Sequence, residues 1–377
     1  MSKIRILWLA HEASISGANI CLLEHFQILV QNGGFEIYLI VPKVGSLNKR
    51  AGLLGIPSFV VPYYSWTVPL KINQKTSFKS QVKRKIRNII AFGQLGKLIA
   101  EIKPDFVTTN TITINIGALV AKSAKIKHVW FVHEFGEEDH GFSLPGGMAK
   151  AKMWIGDMSD KVAVNSLSMA KFYKNSIPEE KLKLVYNPVL TMGGLRPRRE
   201  ADKLHLVMLG QISPAKNQLD AIKAVILSRE LGLNCSLTIA GPIVSSAYKE
   251  ILDNYIALYN ATDHIKFMGP IQDVCSFFLN ADALLMCSRM EAFGRVTVEA
   301  FKMGVPVIAS DSGASTELVE EGVNGFLYLS GNINSLTQTI IRFKGEADNF
   351  NSLNIAEKAH STFNASVVEK QLLEVFK

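Results

Sequence analysis

Short β-rich apolar runs recur along this chain, and stretches of helical spacing separate them. In the first half the runs are Ile4–Ala10, Glu36–Val41, Ser58–Val61, Asp105–Thr109, Lys127–Val132, Lys161–Val164 and Lys183–Val185. In the second half they are Leu204–Leu209, Ser236–Ala240, Ile265–Met268, Ala283–Cys287, Val305–Ala309 and Gly325–Tyr328. After the first run, Ile20, Leu23, Phe26 and Val30 lie on one apolar helix face, and Gly33-Gly34 ends that helix. Alternation of this kind predicts parallel sheets covered by helices on both faces.

Residues 187–199 carry Pro, Gly and charge without apolar periodicity and read as a linker. The predicted organisation is therefore two doubly wound domains, 1–190 and 191–352, facing across a cleft. A helical segment over 353–377 follows and is expected to return to the first domain. In open α/β sheets ligands bind at the carboxyl ends of the strands, so the residues just after each run are the ones to inspect.

Composition narrows the class. The chain has 377 residues, 48% of them hydrophobic, which supports two cores and excludes a disordered protein. No apolar run reaches the roughly 18–20 residues of a membrane-spanning helix. The opening stretch Met1–Ala10 runs straight into His11 and Glu12, and reads as a buried strand rather than a signal peptide. Cys21, Cys235, Cys275 and Cys287 are scattered without a Cys-x-x-Cys pair. They suit reduced core positions in a cytoplasmic protein.

The formal net charge of +8 is uneven. Lys71, Lys75, Lys79, Lys83, Arg84, Lys85 and Arg87 follow one another with no acidic residue among them. Ser65-Trp66-Thr67-Val68-Pro69-Leu70 precedes them, and Ile86, Ile89, Ile90 and Phe92 follow. Aromatic, aliphatic and basic residues in one segment suit docking of 71–87 onto an anionic membrane surface, here the inner face of the plasma membrane. A solvated helix with ordinary lysines is the plain alternative.

The chemistry concentrates after the run Ala283–Cys287. There the chain reads Ser288-Arg289-Met290-Glu291-Ala292-Phe293-Gly294, and a helix is predicted from Arg295 to Met303 with Gly304 as its stop. Gly294 allows close backbone approach to a ligand, and the free N–H groups of a first helical turn suit a diphosphate. Carboxylates at Glu291 and Glu299 can accept hydrogen bonds from sugar hydroxyls. On residue type alone, Glu291 could equally cap the helix and Glu299 could be a solvated helix residue.

The run from Glu291 to Glu299, with Ala300–Ser310, Ser312-Gly313-Ala314, Glu317 and Asn324-Gly325-Phe326-Leu327 behind it, resembles the signature of the retaining glycosyltransferases of family four, which have the GT-B fold. The resemblance implies transfer of a hexose-type sugar, with retention, from a nucleoside-diphosphate sugar to a hydroxyl of a glycan or lipid-linked glycan in polysaccharide synthesis. It implies that Glu291 holds the donor sugar and Glu299 the ribose. Phe293, Gly294 and Arg295 would face the sugar and phosphates, with Val296 and Thr297 beside the phosphates. Lys216 matches the family's phosphate-neutralising lysine, while Gln211 stands where an arginine is usual and brings no charge. Ile271 would meet the nucleobase.

In the first domain, Gly17 matches a glycine-containing loop near the donor phosphates, and His133 matches a histidine that reaches the donor sugar. Glu137-Glu138-Asp139-His140 has the residue types of a metal cluster, but neighbours on one loop seldom converge on an ion. No metal or cofactor is expected, nor is nucleic acid as a partner. A nucleotide-sugar epimerase or a weakly catalytic sugar-nucleotide-binding protein are the competing readings. A Rossmann dehydrogenase fails, because Ala13–Ala18 lacks Gly-x-Gly-x-x-Gly.

Overall fold

A computed structural model describes residues 2–69, 78–190, 193–197 and 202–377. Lys71, Lys75 and the side chain of Lys79 from the basic segment lie outside the described residues, as do Thr191, Met192, Arg198 and Arg199 of the linker. The described residues form two units. The first comprises Met1–Pro188 and Ala365–Lys377, the second Val189–Asn364.

The first unit holds nine strands: β1 (Ile4–Leu9), β2 (Phe35–Val41), β3 (Ser58–Val60), β4 (Val68–Pro69), β5 (Phe106–Asn110), β6 (Lys127–Val132), β7 (Phe142–Ser143), β8 (Lys161–Val164) and β9 (Leu182–Leu184). Seven of them make a sheet in the order β3-β2-β1-β5-β6-β8-β9. Its strand pairs are parallel. The second unit holds β10 (Leu204–Leu209), β11 (Cys235–Ala240), β12 (Ile265–Gly269), β13 (Ala283–Met286), β14 (Val307–Ser310) and β15 (Gly325–Tyr328). These form a parallel sheet in the order β12-β11-β10-β13-β14-β15.

Each apolar run of the sequence is therefore a strand, with ends shifted by at most two residues. The two strands without a sequence signal, β4 and β7, are two residues long and pair antiparallel, too short for any alternation to register. Helices cover both faces of the sheets, so central strands are largely buried; β5, β13 and β14 are buried at every position, although β5 closes on Thr108, Thr109 and Asn110.

Helices fill the crossovers. Gly17–Asn32 stops at Gly33, whose φ of 76° is left-handed. The longest, Phe78–Ile102, buries Ala91, Leu95, Ile99 and Ile102 against Leu7, Leu9 and Val107. The C-terminal segment is two helices, Ser352–Thr362 in the second unit and Ala365–Val375 in the first. Just beyond the latter, Phe376 sits in the first unit's aromatic core against Trp8, Phe35, Phe106 and Phe131.

Lys302, the last residue of the helix Arg295–Lys302, is buried, and its ammonium donates to the carbonyls of Val189 at 2.5 Å and Phe363 at 3.0 Å. Val189 and Phe363 flank the two points where the chain passes between units. A cation desolvated in this way is tolerable only with such acceptors. Lys302→Met keeps the stem but strips both carbonyls of a charged donor. It should lower the stability of the second unit by about 2–3 kcal/mol, read as a fall in the thermal midpoint. An unchanged midpoint would show that those carbonyls are satisfied without it.

His128 on β6 is buried between Thr109 Oγ1 at 2.9 Å and Ser159 Oγ at 3.1 Å. Burial pulls its imidazole down to about 3. Between that value and the unfolded value near 6.5, the unfolded chain takes up a proton that the native ring refuses. Stability should then rise with pH across this window by about 1.4 kcal/mol per pH unit. Chemical denaturation of His128→Gln from pH 4 to pH 6 should show a slope shallower than the wild type by that amount, and equal slopes would refute it.

Candidate functional site

Three loops of the second unit meet at the carboxyl edge of its sheet, those following β10, β13 and β14. After β13 the chain turns through Arg289–Phe293 and enters the helix Arg295–Lys302 at Gly294. Gly294 occupies the N-cap with φ 78° and ψ 47°, a left-handed conformation, and no side chain caps the helix. The first-turn N–H groups of Val296 and Thr297 are thus left for another acceptor, and the helix dipole favours an anion there. Thr297 is fully buried, and its hydroxyl has no hydrogen-bond partner among the described residues.

The loop after β14 fixes Glu291. Gly313 has φ 55°, and a Cβ on it would stand 2.3 Å from the Glu291 carbonyl oxygen and 2.6 Å from its nitrogen. The Ala314 N–H donates to that same carbonyl at 2.8 Å. Ser310 Oγ and Ser312 Oγ both donate to the Ser288 carbonyl, at 2.7 and 3.3 Å. The Glu291 backbone is therefore held by its neighbour loop.

Its side chain is held by the third loop. A short 3₁₀ turn, Pro214–Lys216, follows β10, and the Lys216 ammonium lies 2.7 Å from Glu291 Oε2. The Arg289 N–H donates to the Ala215 carbonyl at 3.2 Å and joins the same loops through the backbone. Lys216 is thus no free surface lysine, and Glu291 is not the helix cap, since Gly294 occupies that position.

Glu299 is only 8% exposed, so it is not a solvated helix residue. Its Oε1 accepts from Arg295 Nε at 2.8 Å one turn earlier. Gln211 is exposed, and its carbonyl accepts from Gln218 Nε2 at 2.8 Å. Phe293 is buried against Phe363, and Val296 is half-buried. Ile271 is half-buried in the turn after β12. Nearby, Asp273 caps the helix Val274–Leu279, accepting from the Ser276 N–H at 3.0 Å. The Ser276 hydroxyl, and then that backbone bond, hold the Asp273 carboxyl below its usual range.

In the first unit, Gly17 opens the helix after β1. It is exposed, and an added Cβ would meet nothing, so the local fold does not itself demand glycine there. His133 follows β6. Its Nε2 lies 2.9 Å from Asn110 Oδ1 at the end of β5, while Nδ1 is buried without a partner among the described residues. Burial, then the neighbouring His25 and His11, push the ring down to about 3 and keep it neutral. The adjacent Glu134 carboxylate accepts from the Ile112 and His133 N–H groups at 3.1 and 3.2 Å, while burial raises its pKa. Asp139 of the acidic loop accepts from the N–H groups of Phe135 and Gly136 at 2.8 and 2.7 Å, a structural task. Among the described residues no group of three His, Cys, Asp or Glu is arranged to hold a metal ion.

Asn110 and Gly313 are the site residues that sequence reasoning did not assign. Asn110 ends β5 behind two threonines, and Gly313 stood inside the quoted motif without a role. Gly313→Ala should cost about 2–4 kcal/mol, combining left-handed strain with displacement of the Glu291 backbone. Gly322→Ala, at φ 72° with open space around it, carries the strain alone and should cost only about 1–2 kcal/mol. Equal thermal shifts in the two variants would refute the close approach as the reason for Gly313.

Comparison with known proteins follows the same division. Residues 196–359 match the family model described as glycosyl transferases group 1, and residues 15–191 match that of glycosyltransferase family 4. A UDP-Gal:α-D-GlcNAc-diphosphoundecaprenol α-1,3-galactosyltransferase of Escherichia coli is 22% identical over 96% of this chain and 94% of its own length. An exopolysaccharide phosphotransferase of Streptomyces coelicolor is 27% identical over 64% of this chain and 26% of its own. The chain spans 26% to 61% of the length of the first curated relatives it matches. The crystal structure of Anabaena HepE in complex with UDP-glucose superposes with a TM-score of 0.78 at 19% identity, covering 98% of each chain. Two Rossmann-like units, each carrying its own family match, make this chain a member of the family 4 glycosyltransferases of the GT-B type.

Proposed function

We propose that this protein transfers a hexose from a nucleoside-diphosphate sugar to a hydroxyl of a glycan or lipid-linked glycan, with retention of anomeric configuration. One observation carries the reading. An uncapped helix N-terminus, a lysine and two carboxylates are held together within the second unit by glycine-dependent loop contacts. Amides and an ammonium suit a diphosphate; carboxylates suit the hydroxyls of the sugars on either side of it. The galactosyltransferase relative names a UDP sugar, and HepE was solved with UDP-glucose, which supports uridine as the base.

In this reading the bond between anomeric carbon and diphosphate breaks through an oxocarbenium-like transition state. Negative charge grows on the leaving diphosphate, where the first-turn amides and Lys216 stabilise it. Lys216 meets that charge by turning from Glu291, and the released Glu291 carboxylate accepts from sugar hydroxyls. Glu299, oriented by Arg295, accepts from the ribose hydroxyls. The side chain of Gln211 can donate a hydrogen bond but no charge, so Lys216 carries the cationic work. No side chain is assigned as a nucleophile. The acceptor hydroxyl attacks from the face that the diphosphate leaves, and a phosphate oxygen takes its proton. The neutral ring of His133 offers a sugar hydroxyl a hydrogen bond without a charge.

A panel of nucleotide sugars, scored for binding and slow hydrolysis, tests the donor, and NMR of the glycoside product tests retention. Lys216→Ala should lower kcat by about 10²–10³-fold, equivalent to about 2.7–4 kcal/mol of transition-state stabilisation. Near-normal turnover in that variant would sink the assignment. Glu299→Ala should chiefly weaken binding of the nucleoside diphosphate, and unchanged affinity would remove its ribose role.

A further inference from the structure

The helix Phe78–Ile102 is apolar on two opposite faces. Ala91, Leu95, Ile99 and Ile102 face the core of the first unit. Val82, Ile86, Ile89 and Ile90 recur at i, i+4, i+7 and i+8 on the other side, and they are exposed: Ile86 53%, Ile89 71%, Ile90 56%. Four bulky aliphatic side chains in one stripe on solvent are not the scattered exposure normal for a folded surface.

Charge surrounds that stripe. Lys83, Lys85 and Arg87 are exposed beside it. Arg84 reaches instead to Ser65, donating to its carbonyl at 3.1 Å and its hydroxyl at 2.9 Å, and Arg87 donates to the Tyr64 hydroxyl. These contacts brace the helix against the loop before it. From Ile37 to Ala100 the sequence holds eleven lysines and arginines and no acidic residue at all. The positive field here is therefore uncompensated by neighbours in sequence. Among the described residues no helix is long and apolar enough to cross a membrane, so this stripe can lie on a bilayer but not span it.

We infer that this helix face docks on an anionic lipid bilayer, with Ile86, Ile89 and Ile90 seated at the acyl boundary and the flanking cations among the headgroups. A nucleic acid would be met by cations and stacking aromatics, not by a row of protruding isoleucines. A lipid interface uses both halves of the feature, apolar area and positive charge. The inference is independent of the reaction proposed above, since it needs no donor or acceptor.

The test is co-sedimentation of the full chain with vesicles of pure phosphatidylcholine and of phosphatidylcholine with 30% phosphatidylglycerol as the chosen composition, about one lipid in three being anionic. The wild type should bind the anionic vesicles at least about tenfold more strongly than the neutral ones. Ile86→Ser combined with Ile89→Ser should lower binding to anionic vesicles by at least about tenfold. Lys83→Glu combined with Lys85→Glu should abolish the preference for them. These side chains are solvent-exposed, so circular dichroism and thermal midpoint should stay at wild-type values and exclude misfolding as the cause. Three results would overturn the inference: no binding of the wild type to anionic vesicles, binding that ignores the isoleucine changes, or a stripe-dependent dimer seen by light scattering without lipid. Tight binding of a single-stranded RNA that survives the isoleucine changes would instead assign the cations to nucleic acid.

Discussion

Both large sheets consist of parallel strands, and that arrangement constrains everything else in the molecule. A parallel sheet needs crossovers, the crossovers are helices, and helices on both faces leave no face of the sheet for polar chemistry. Polar groups that could meet a small ligand are therefore gathered at the strand ends. Right-handed βα connection has a second effect. It sets the N-terminus of each following helix beside the carboxyl end of the preceding strand, so amide N–H groups collect along one edge. The candidate residues of the second unit lie along that edge, after β10, β12, β13 and β14. Those of the first unit follow β1 and β6.

The electrostatics of the second unit fit a site that works by exchange of partners. Lys216 and Glu291 neutralise each other at 2.7 Å, and Lys216 keeps about a third of its side-chain surface in water. A pair with that exposure contributes modestly to stability, so separating it for a ligand costs little. Arg295 and Glu299 form the second such pair, more enclosed, one turn into the helix. Neither carboxylate stands as an isolated charge, and the backbone of Glu291 is fixed independently of its side chain by Gly313 and Ala314. Position and charge are thus controlled by different groups.

Much of the fold was legible because parallel strands need continuous apolar runs, which length and flanking glycines separate from helices. Glu291, Gly294 and Glu299 were legible for a different reason: they lie within nine residues of one another, on a turn and helix whose geometry can be written from the sequence. Lys216 could be picked out only through family resemblance, because its partner is 75 residues away and no local pattern links them. Burial of Lys302 and its hold on Val189 and Phe363 left no sequence trace at all. Asn110 beside His133, and Gly313 against Glu291, belong to the same class, contacts between the ends of adjacent strands, β5 with β6 and β13 with β14, that the chain reaches only after a crossover helix.

The division of the chain also has a consequence for its biogenesis. The second unit is encoded inside the first, between Pro188 and Ala365. Phe376 closes the aromatic core around Trp8, so the first unit lacks part of its interior until the whole second unit has left the ribosome. During that interval β1 and its neighbours present Trp8, Phe106 and Phe131 without their last cover, a surface that chaperones bind and that nascent chains aggregate through. The second unit, contiguous from Val189 to Asn364, has no such wait. The half made later can therefore complete its own core before the half made first has all of its residues.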